Sequence, residues 1–238
     1  MLVSIINWNA EWARSGSRRA TEIVRRVENL RPDVACITEA GGALFSYGHT
    51  ITSTEDYGYR PVNGRRKVLL WSRDPWIDVD MVGDPELTNG RFVRGVTSTP
   101  LGEITVLGLC IPWKDAHVQT GRRNRQRWED HAVYLGALAR VLSMAPRQRL
   151  IVLGDFNQTI PRTRTPHEMY NLLMQALGGL QVATAGAIDG LASPLIDHVC
   201  HTDDLVSRDL TSIENLDDTA GRPLSDHVGT LVRLGASS

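Results

Sequence analysis

Cysteine is scarce in this chain, and none of it is grouped. Cys36, Cys110 and Cys200 lie far apart and inside apolar runs. That excludes a disulfide framework and a closely spaced zinc cluster, and reads as reduced, buried thiols. Long apolar runs are missing too: no stretch approaches the roughly 20 residues that cross a bilayer. The opening run from Leu2 to Ile6 lacks a basic leader and a small-residue cleavage site, so it reads as a first strand, and a cytoplasmic location is expected. A surplus of charge of either sign is also absent. A net charge of −1 over 238 residues excludes a protein that holds nucleic acid by bulk electrostatics, while leaving local patches open. Lysine occurs only as Lys67 and Lys114, so the positive charge is arginine, which suits bidentate phosphate contacts. Base composition of the coding sequence explains that bias equally well. No internal repeat, low-complexity tract or interdomain linker interrupts the chain. With 42% hydrophobic residues a sizeable core is available, and residues 1–238 read as a single domain with no protein partner evident.

What is present is a series of short apolar runs. Leu2 to Asn9 is strand-like, with Val3, Ile5, Asn7 and Asn9 on one parity. Ser17 is placed to cap a helix whose apolar positions are Ala20, Ile23, Val24, Val27 and Leu30, stopped by Pro32. Val34 to Thr38 is a second buried strand ending at Glu39, followed by a polar loop from Gly41 to Arg66. Val68 to Trp71 and the region of Val79 to Val82 are further strands. Arg91 to Thr99 and Glu103 to Ile111 read as a hairpin turned at Pro100-Leu101-Gly102. A loop from Trp113 to Gly121 leads into a helix with Trp128, Ala132, Leu135, Leu138 and Leu142 as its inward stripe. Pro166 to Leu177 suggests another helix, and Leu195 to His201 and His227 to Leu234 are late strands.

The most telling stretch is Leu150 to Gln158. Four apolar residues form a strand buried on both faces, Gly154 lets the backbone bend, and Asp155 and Asn157 follow two residues apart. In an extended backbone those two project to one side. The competing reading is a strand-to-loop turn in which Asp and Asn bond locally. Asn9, Glu39, Asp155 with Asn157, Asp197, and Asp226 with His227 all fall at or beside the end of an apolar strand. Carboxylate and amide oxygens are ligands for a hard cation, and a neighbouring imidazole adds a proton-transfer or charge-stabilising group.

Trp8-Asn9, Ile37-Thr38-Glu39, Gly154-Asp155-Phe156-Asn157, Ile196-Asp197-His198 and Ser225-Asp226-His227 occur in the order of the endonuclease/exonuclease/phosphatase superfamily, which the chain resembles from Leu2 to Leu234. The resemblance implies a deoxyribonuclease I-like, four-layer α/β sandwich: two packed, mostly antiparallel sheets flanked by helices. It further implies a phosphoric ester hydrolase that uses Mg2+, with Mn2+ as substitute. By position, Glu39 is then the main metal ligand, assisted by Asn9 and Asp226. Asp155 orients or deprotonates the attacking water, Asn157 donates to a phosphoryl oxygen, and His227 touches the phosphate with Asp197 fixing its tautomer. His198 falls on the opposite face as a packing residue. The expected partner is a phosphate-ester substrate, nucleic acid or a nucleotide-like diester first, with small phosphomonoesters, lipid head groups or a non-catalytic binding role as alternatives.

One departure stands out. Where many members of that superfamily place a histidine, asparagine or tyrosine, this chain has Cys110, a poor phosphate contact unless its pKa is lowered. Lys114 or His117 in the following loop is the candidate replacement. Arg122, Arg123, Arg125 and Arg127 are read as opening the next helix. There they would either position phosphates or form a solvated face, and an anion would offset their clash with the helix dipole. Trp76 and Trp113 either stack on a base or fill core.

Overall fold

The computed structural model describes residues 1–217 and 219–237. In chain order the elements are β1 (Leu2–Ala13), α1 (Arg18–Leu30), β2 (Val34–Gly41), β3 (His49–Thr52), β4 (Arg65–Ser72), β5 (Trp76–Asp80), β6 (Phe92–Thr99), β7 (Gly102–Cys110) and α2 (Glu129–Met144). They continue with β8 (Leu150–Asp155), α3 (His167–Leu177), β9 (Gln181–Val182), β10 (Asp197–His201), β11 (Leu205–Ser212), β12 (Leu216–Asp217), β13 (Arg222–Pro223) and β14 (Thr230–Ala236).

Two six-stranded sheets, ordered β11-β14-β1-β2-β4-β3 and β5-β6-β7-β8-β10-β9, pack face to face. Within each sheet every pairing is antiparallel except one, β1 with β2 and β7 with β8. Each parallel pair is joined through a helix, because parallel neighbours need a crossover long enough to return to the same end. The parity of β1 sorts its side chains between layers. Val3 and Ile5 join Val106, Ile151, Leu153 and Val199 between the sheets, while Ile6, Trp8 and Ala10 pack under α1 with Ile23 and Val27. Helices α2 and α3 cover the other outer face through Tyr134, Leu135, Leu138 and Leu173, packed on Leu107, Val152 and Phe156. The result is the four-layer α/β sandwich that the resemblance implies.

Local chemistry explains several boundaries. Ser17 caps α1, its side chain accepting the Ala20 amide at 3.2 Å, and Arg31 ends the helix in a left-handed conformation before Pro32. Helix α2 starts at Glu129, later than the sequence suggests, so Arg122, Arg123, Arg125 and Arg127 all lie in the preceding loop. Its first turn carries Glu129 and Asp130, which suit the helix dipole, and Arg125 pairs with both; no external anion is needed there. The inward stripe is Tyr134, Leu135, Ala137, Leu138 and Leu142, with Trp128 and Ala132 only half-buried. The polar stretch expected to be loop contains β3, an edge strand paired to β4, and β11 is a second strand absent from the sequence reading. The last strand begins at Thr230, which leaves His227 in the loop before it. Trp76 fills core beside the inter-sheet cluster and donates to the His49 carbonyl at 3.0 Å.

Candidate active site

The two parallel pairs end at the same edge of the sandwich. Asn9 lies opposite Thr38 across β1 and β2, and Cys110 lies opposite Asp155 across β7 and β8. Asn7 ties the two sheets together just beneath. Its buried amide donates to the Gly154 and His198 carbonyls, both at 3.1 Å. A cleft of about 670 Å³ opens above, lined among others by Asn9, Glu39, Asp155, Asn157, Asp226 and His227.

On the first sheet, β1 and β2 lose register between Asn9 and Ala13, and Glu11 and Trp12 take positive φ values of 45° and 57°. The irregularity turns Trp12 into the cleft and lets Asn9 Oδ1 accept the Glu11 amide at 2.8 Å. Glu39, at φ 50°, also leaves regular strand geometry as β2 ends. Its Oε1 meets Lys67 Nζ at 2.5 Å, and the ammonium lies 4.8 Å from the Trp12 ring centroid. Lys67 reaches Glu39 because β4 runs antiparallel beside β2, with Val68 opposite Thr38.

On the second sheet, Gly154 takes φ 137°, and a Cβ there would collide with the Leu109 carbonyl, so only glycine lets β8 pass β7 at this point. Asp155 then faces Asn9, whose Nδ2 donates to its Oδ2 at 3.2 Å, while Oδ1 accepts the Asn157 amide at 2.9 Å. Asn157 is therefore not extended: φ is 54°, and its Nδ2 donates to the Ile111 carbonyl at 2.9 Å. The local turn bonding and the shared cleft coexist. Behind it Gln158 is buried, its Nε2 donating to the Met169 carbonyl and to His131, and its carbonyl meeting His198 Nε2 at 3.0 Å. His198 is thus an interior brace on the face opposite Asp197.

Antiparallel pairing of β8 with β10 sets Asp197 directly across from Asp155. Asp197 Oδ2 accepts from His227 Nδ1 at 2.5 Å, while its Oδ1 is buried without a partner. Ser225 positions the imidazole loop by donating to the Asn9 carbonyl at 2.6 Å and accepting the His227 amide at 3.1 Å. Ligand atoms of Asp155, Asp197 and His227 lie within 4.8 Å of one another. Burial, and then the neighbouring Asp197 charge, push the Asp155 carboxyl up to about 7. Burial also raises Asp197, against the pull of His227. For His227 burial opposes the charge, but the bond and the field of Asp197 prevail and lift it to about 10. The imidazole is therefore cationic in a site of raised acids.

The cleft does not gather every residue singled out in the sequence. His117 is buried beneath Tyr59, stacked at 4.3 Å with its Nδ1 accepting the Arg122 amide, so it supports the cleft wall without lining it. Lys114 points into a separate hollow, and Arg122 and Arg123 are exposed on the loop outside both. Cys110 does line the cleft, but burial raises its thiol to about 12, so it is neutral. Trp113 is exposed at the rim, and Arg125 and Arg127 are engaged by Glu129, Asp130 and Asp115. Lys67, Ser225 and Arg91 are among the cleft-side residues to which the sequence reading gives no site role. Arg91 is buried, and its Nη1 donates to the Cys110 carbonyl at 3.2 Å. Lys67 is one of two lysines and adjoins a clear strand, and Ser225 opens the Ser225-Asp226-His227 segment; Arg91 carries no such signal.

An α/β sandwich with amides, carboxylates and an Asp–His pair at the shared edge of two parallel strand pairs defines a phosphoesterase fold. The chain belongs to the Endonuclease/Exonuclease/phosphatase family, whose model matches residues 6–227. Members of that family are hydrolases of phosphate esters. Among solved structures, the endonuclease domain of TRAS1, a telomere-specific non-LTR retrotransposon, is similar at 20% identity and TM-score 0.67, covering 100% of both chains. A 3′ phosphatase from Neisseria, NExo, solved bound to product DNA hairpin, has 17% identity and TM-score 0.69 over 99% of this chain and 100% of that one. Sphingomyelinase C from Streptomyces griseocarneus has 14% identity and TM-score 0.62 over 100% of both. At these identities the likeness is one of fold. Comparison with curated protein sequences finds no match. Among the described residues no helix is long and apolar enough to cross a membrane.

Proposed function

We propose that this protein is a divalent-metal-dependent phosphodiesterase that cleaves a phosphate ester by in-line attack of water. One observation carries the reading: Asn9, Glu39, Asp155, Asn157, Asp226 and His227, drawn from both ends and the middle of the chain, line one cleft, with Asp197 behind His227.

The donor set fits a hard cation. Glu39, Asn9 and Asp226 offer oxygen ligands and no thiolate, which suits Mg2+ or Mn2+ better than zinc. When bound there, the cation supplies neutralisation of charge on the phosphoryl oxygens. Lys67 pairs with Glu39 and balances part of its charge. Asp155, with a carboxyl raised to about 7, is tuned to accept a proton from water near neutrality. Asn157 Nδ2 spends one N–H on Ile111 and has a second for a phosphoryl oxygen. His227, charged and fixed by Asp197, presents Nε2 to the same phosphate, and Arg91 adds a buried positive charge on the far wall.

The test is hydrolysis of bis(p-nitrophenyl) phosphate with Mg2+ or Mn2+. Turnover that disappears in Asp155→Ala and His227→Ala, with circular dichroism unchanged, supports the assignment. No turnover on a broad phosphoester panel with either ion would leave a phosphate-binding protein that keeps the fold, a reading that the neutral Cys110 thiol favours.

A further inference from the structure

Tyr59 stands on the cleft wall and has no part in the chemistry described so far. It belongs to the stretch between β3 and β4. Its ring stacks on the buried His117, with centroids 4.3 Å apart and an interplanar angle of 22°. Two glycines make room for that stack. At Gly58, with φ 84°, a Cβ would lie 2.9 Å from His117 Nε2, and at Gly121, with φ 58°, it would collide with both His117 Nδ1 and the Tyr59 ring. His117 is anchored in turn, since its Nδ1 accepts the Arg122 amide at 3.2 Å. The Tyr59 ring is thus braced from behind, which fixes where its hydroxyl stands.

The hydrogen bonds at that hydroxyl run in one direction. Its oxygen accepts the His117 amide at 3.2 Å, and the Trp113 indole is a further donor to it. A phenol has two lone pairs and one proton, so the capacity left to Tyr59 is that of a donor. Thr120 Oγ1, at 3.5 Å, is beyond the usual O–H···O range, and among the described residues no closer acceptor meets the proton. Trp113 and Thr120 line the same cleft as Asp155 and His227, where a bound substrate would offer oxygens. Burial works against ionisation of Tyr59, yet the Thr120 hydroxyl, the His117 amide and Trp113, with the field of Arg91, hold its hydroxyl below the usual range. The donors that occupy its lone pairs would also stabilise the phenolate left after proton release.

The reaction proposed above lacks a proton for the oxygen that departs. Asp155 takes a proton from water, and His227 keeps its own as the charge at the phosphate, fixed by Asp197. We infer that Tyr59 is the general acid of the reaction, its hydroxyl protonating the leaving-group oxygen so that esters of poorly departing alcohols can be cleaved. The inference rests on the phosphodiesterase reading and adds a catalytic residue to it. The water oxygen bonds to phosphorus as its proton passes to Asp155. The bond from phosphorus to the leaving oxygen breaks, its electron pair stays on that oxygen, and the Tyr59 proton is transferred there. The phenolate, held by the His117 amide and Trp113, then regains a proton from solvent.

The test is turnover along a series of methyl phosphodiesters whose second group is p-nitrophenyl, p-chlorophenyl, phenyl or benzyl, with Mg2+ or Mn2+ present. A p-nitrophenolate departs without a proton, and each later group in the series depends on one more heavily. Tyr59→Phe keeps the ring on His117 and removes only the hydroxyl. It should lose about 100-fold on the phenyl and benzyl esters, the lower end of what a general acid contributes, and almost nothing on the p-nitrophenyl ester. A plot of log kcat/KM against leaving-group pKa should therefore be steeper in the variant. Tyr57→Phe, the neighbouring ring on the same wall, is the control and should keep the wild-type slope. A loss equal on every ester, as a disturbed loop would give, overturns the inference. So does the same steepening in Tyr57→Phe, or a wild type that acts on the p-nitrophenyl ester alone. The two levels are separable. Turnover by both proteins with no change of slope removes Tyr59 only, whereas no turnover of any ester with either ion brings down the phosphodiesterase reading beneath it.

Discussion

Asp197→Asn isolates the charge that governs His227. The amide keeps an oxygen to accept the Nδ1 proton, so the hydrogen bond at 2.5 Å can persist while the negative charge is gone. In the wild type the imidazole is lifted from 6.5 to about 10 although burial works the other way. That gap corresponds to about 5 kcal/mol favouring the imidazolium. Without Asp197 only burial and the weaker fields of Asp155 and Asp226 remain, and His227 should titrate near or below 6.5. The measurement is a long-range nitrogen–proton NMR titration of His227 in metal-free protein. Because the folded pKa is raised, the pair's stabilisation is full below pH 6.5 and is lost as pH rises through about 10. Urea unfolding should therefore show the variant weaker at pH 6, by about 2 to 3 kcal/mol after solvent relaxation, with the difference closing at high pH. Turnover of a small diester at pH 8 should fall by about 100- to 1000-fold, since a neutral imidazole replaces a cation at the phosphate. A His227 that stays charged above pH 8 in Asp197→Asn would refute the reasoning.

Other outcomes follow from the same geometry. EDTA should abolish turnover, with Mg2+ or Mn2+ and not zinc restoring it best. Lys67→Met, which removes the ammonium 2.5 Å from Glu39, should tighten Mn2+ binding roughly tenfold by electron paramagnetic resonance; weaker binding would mean that Lys67 organises the ligand rather than competing for it. Burial holds His131 and His198 at about 4, and His131 must be neutral to accept from Gln158 Nε2 while its Nδ1 donates to the Pro112 carbonyl. A lowered histidine excludes protons from the folded state, so each costs stability as pH falls from 6.5 towards 4, by about 2 kcal/mol at pH 5. Asp155 acts in the opposite sense over part of that range, so the comparison is with His131→Gln. Between pH 7.5 and 5 that variant should lose about 2 kcal/mol less than the wild type in urea; equal losses would count against neutral burial. Gly154→Ala should cost more than about 3 kcal/mol in thermal unfolding, because φ 137° and the Leu109 carbonyl both exclude a side chain.

Much of the frame is legible without coordinates because it depends on local patterns. The parity of Val3, Ile5, Asn7 and Asn9, the Ser17 cap and the apolar run before Gly154 each report a periodicity or a cap within a few residues. The later arginines are misplaced by sequence reasoning because the start of α2 is decided by Glu129 and Asp130 together with Arg125, a balance that a run of like charges conceals. Strands β3 and β11 escape it because edge strands, half-exposed, carry little apolar signal.

The amino-acid sequence alone determined which side chains could do chemistry here and that they close apolar strands, since residue type and alternation are local properties. Only the tertiary structure decided which of them meet. Sheet register set Lys67 against Glu39 and Asp197 against Asp155, and packing buried Arg91 beside Cys110 while turning Lys114 and His117 away from the cleft. Ser225 meets the Asn9 carbonyl across 216 positions of chain. Such meetings are made by strand order, register and layer packing, and no short stretch of sequence contains them.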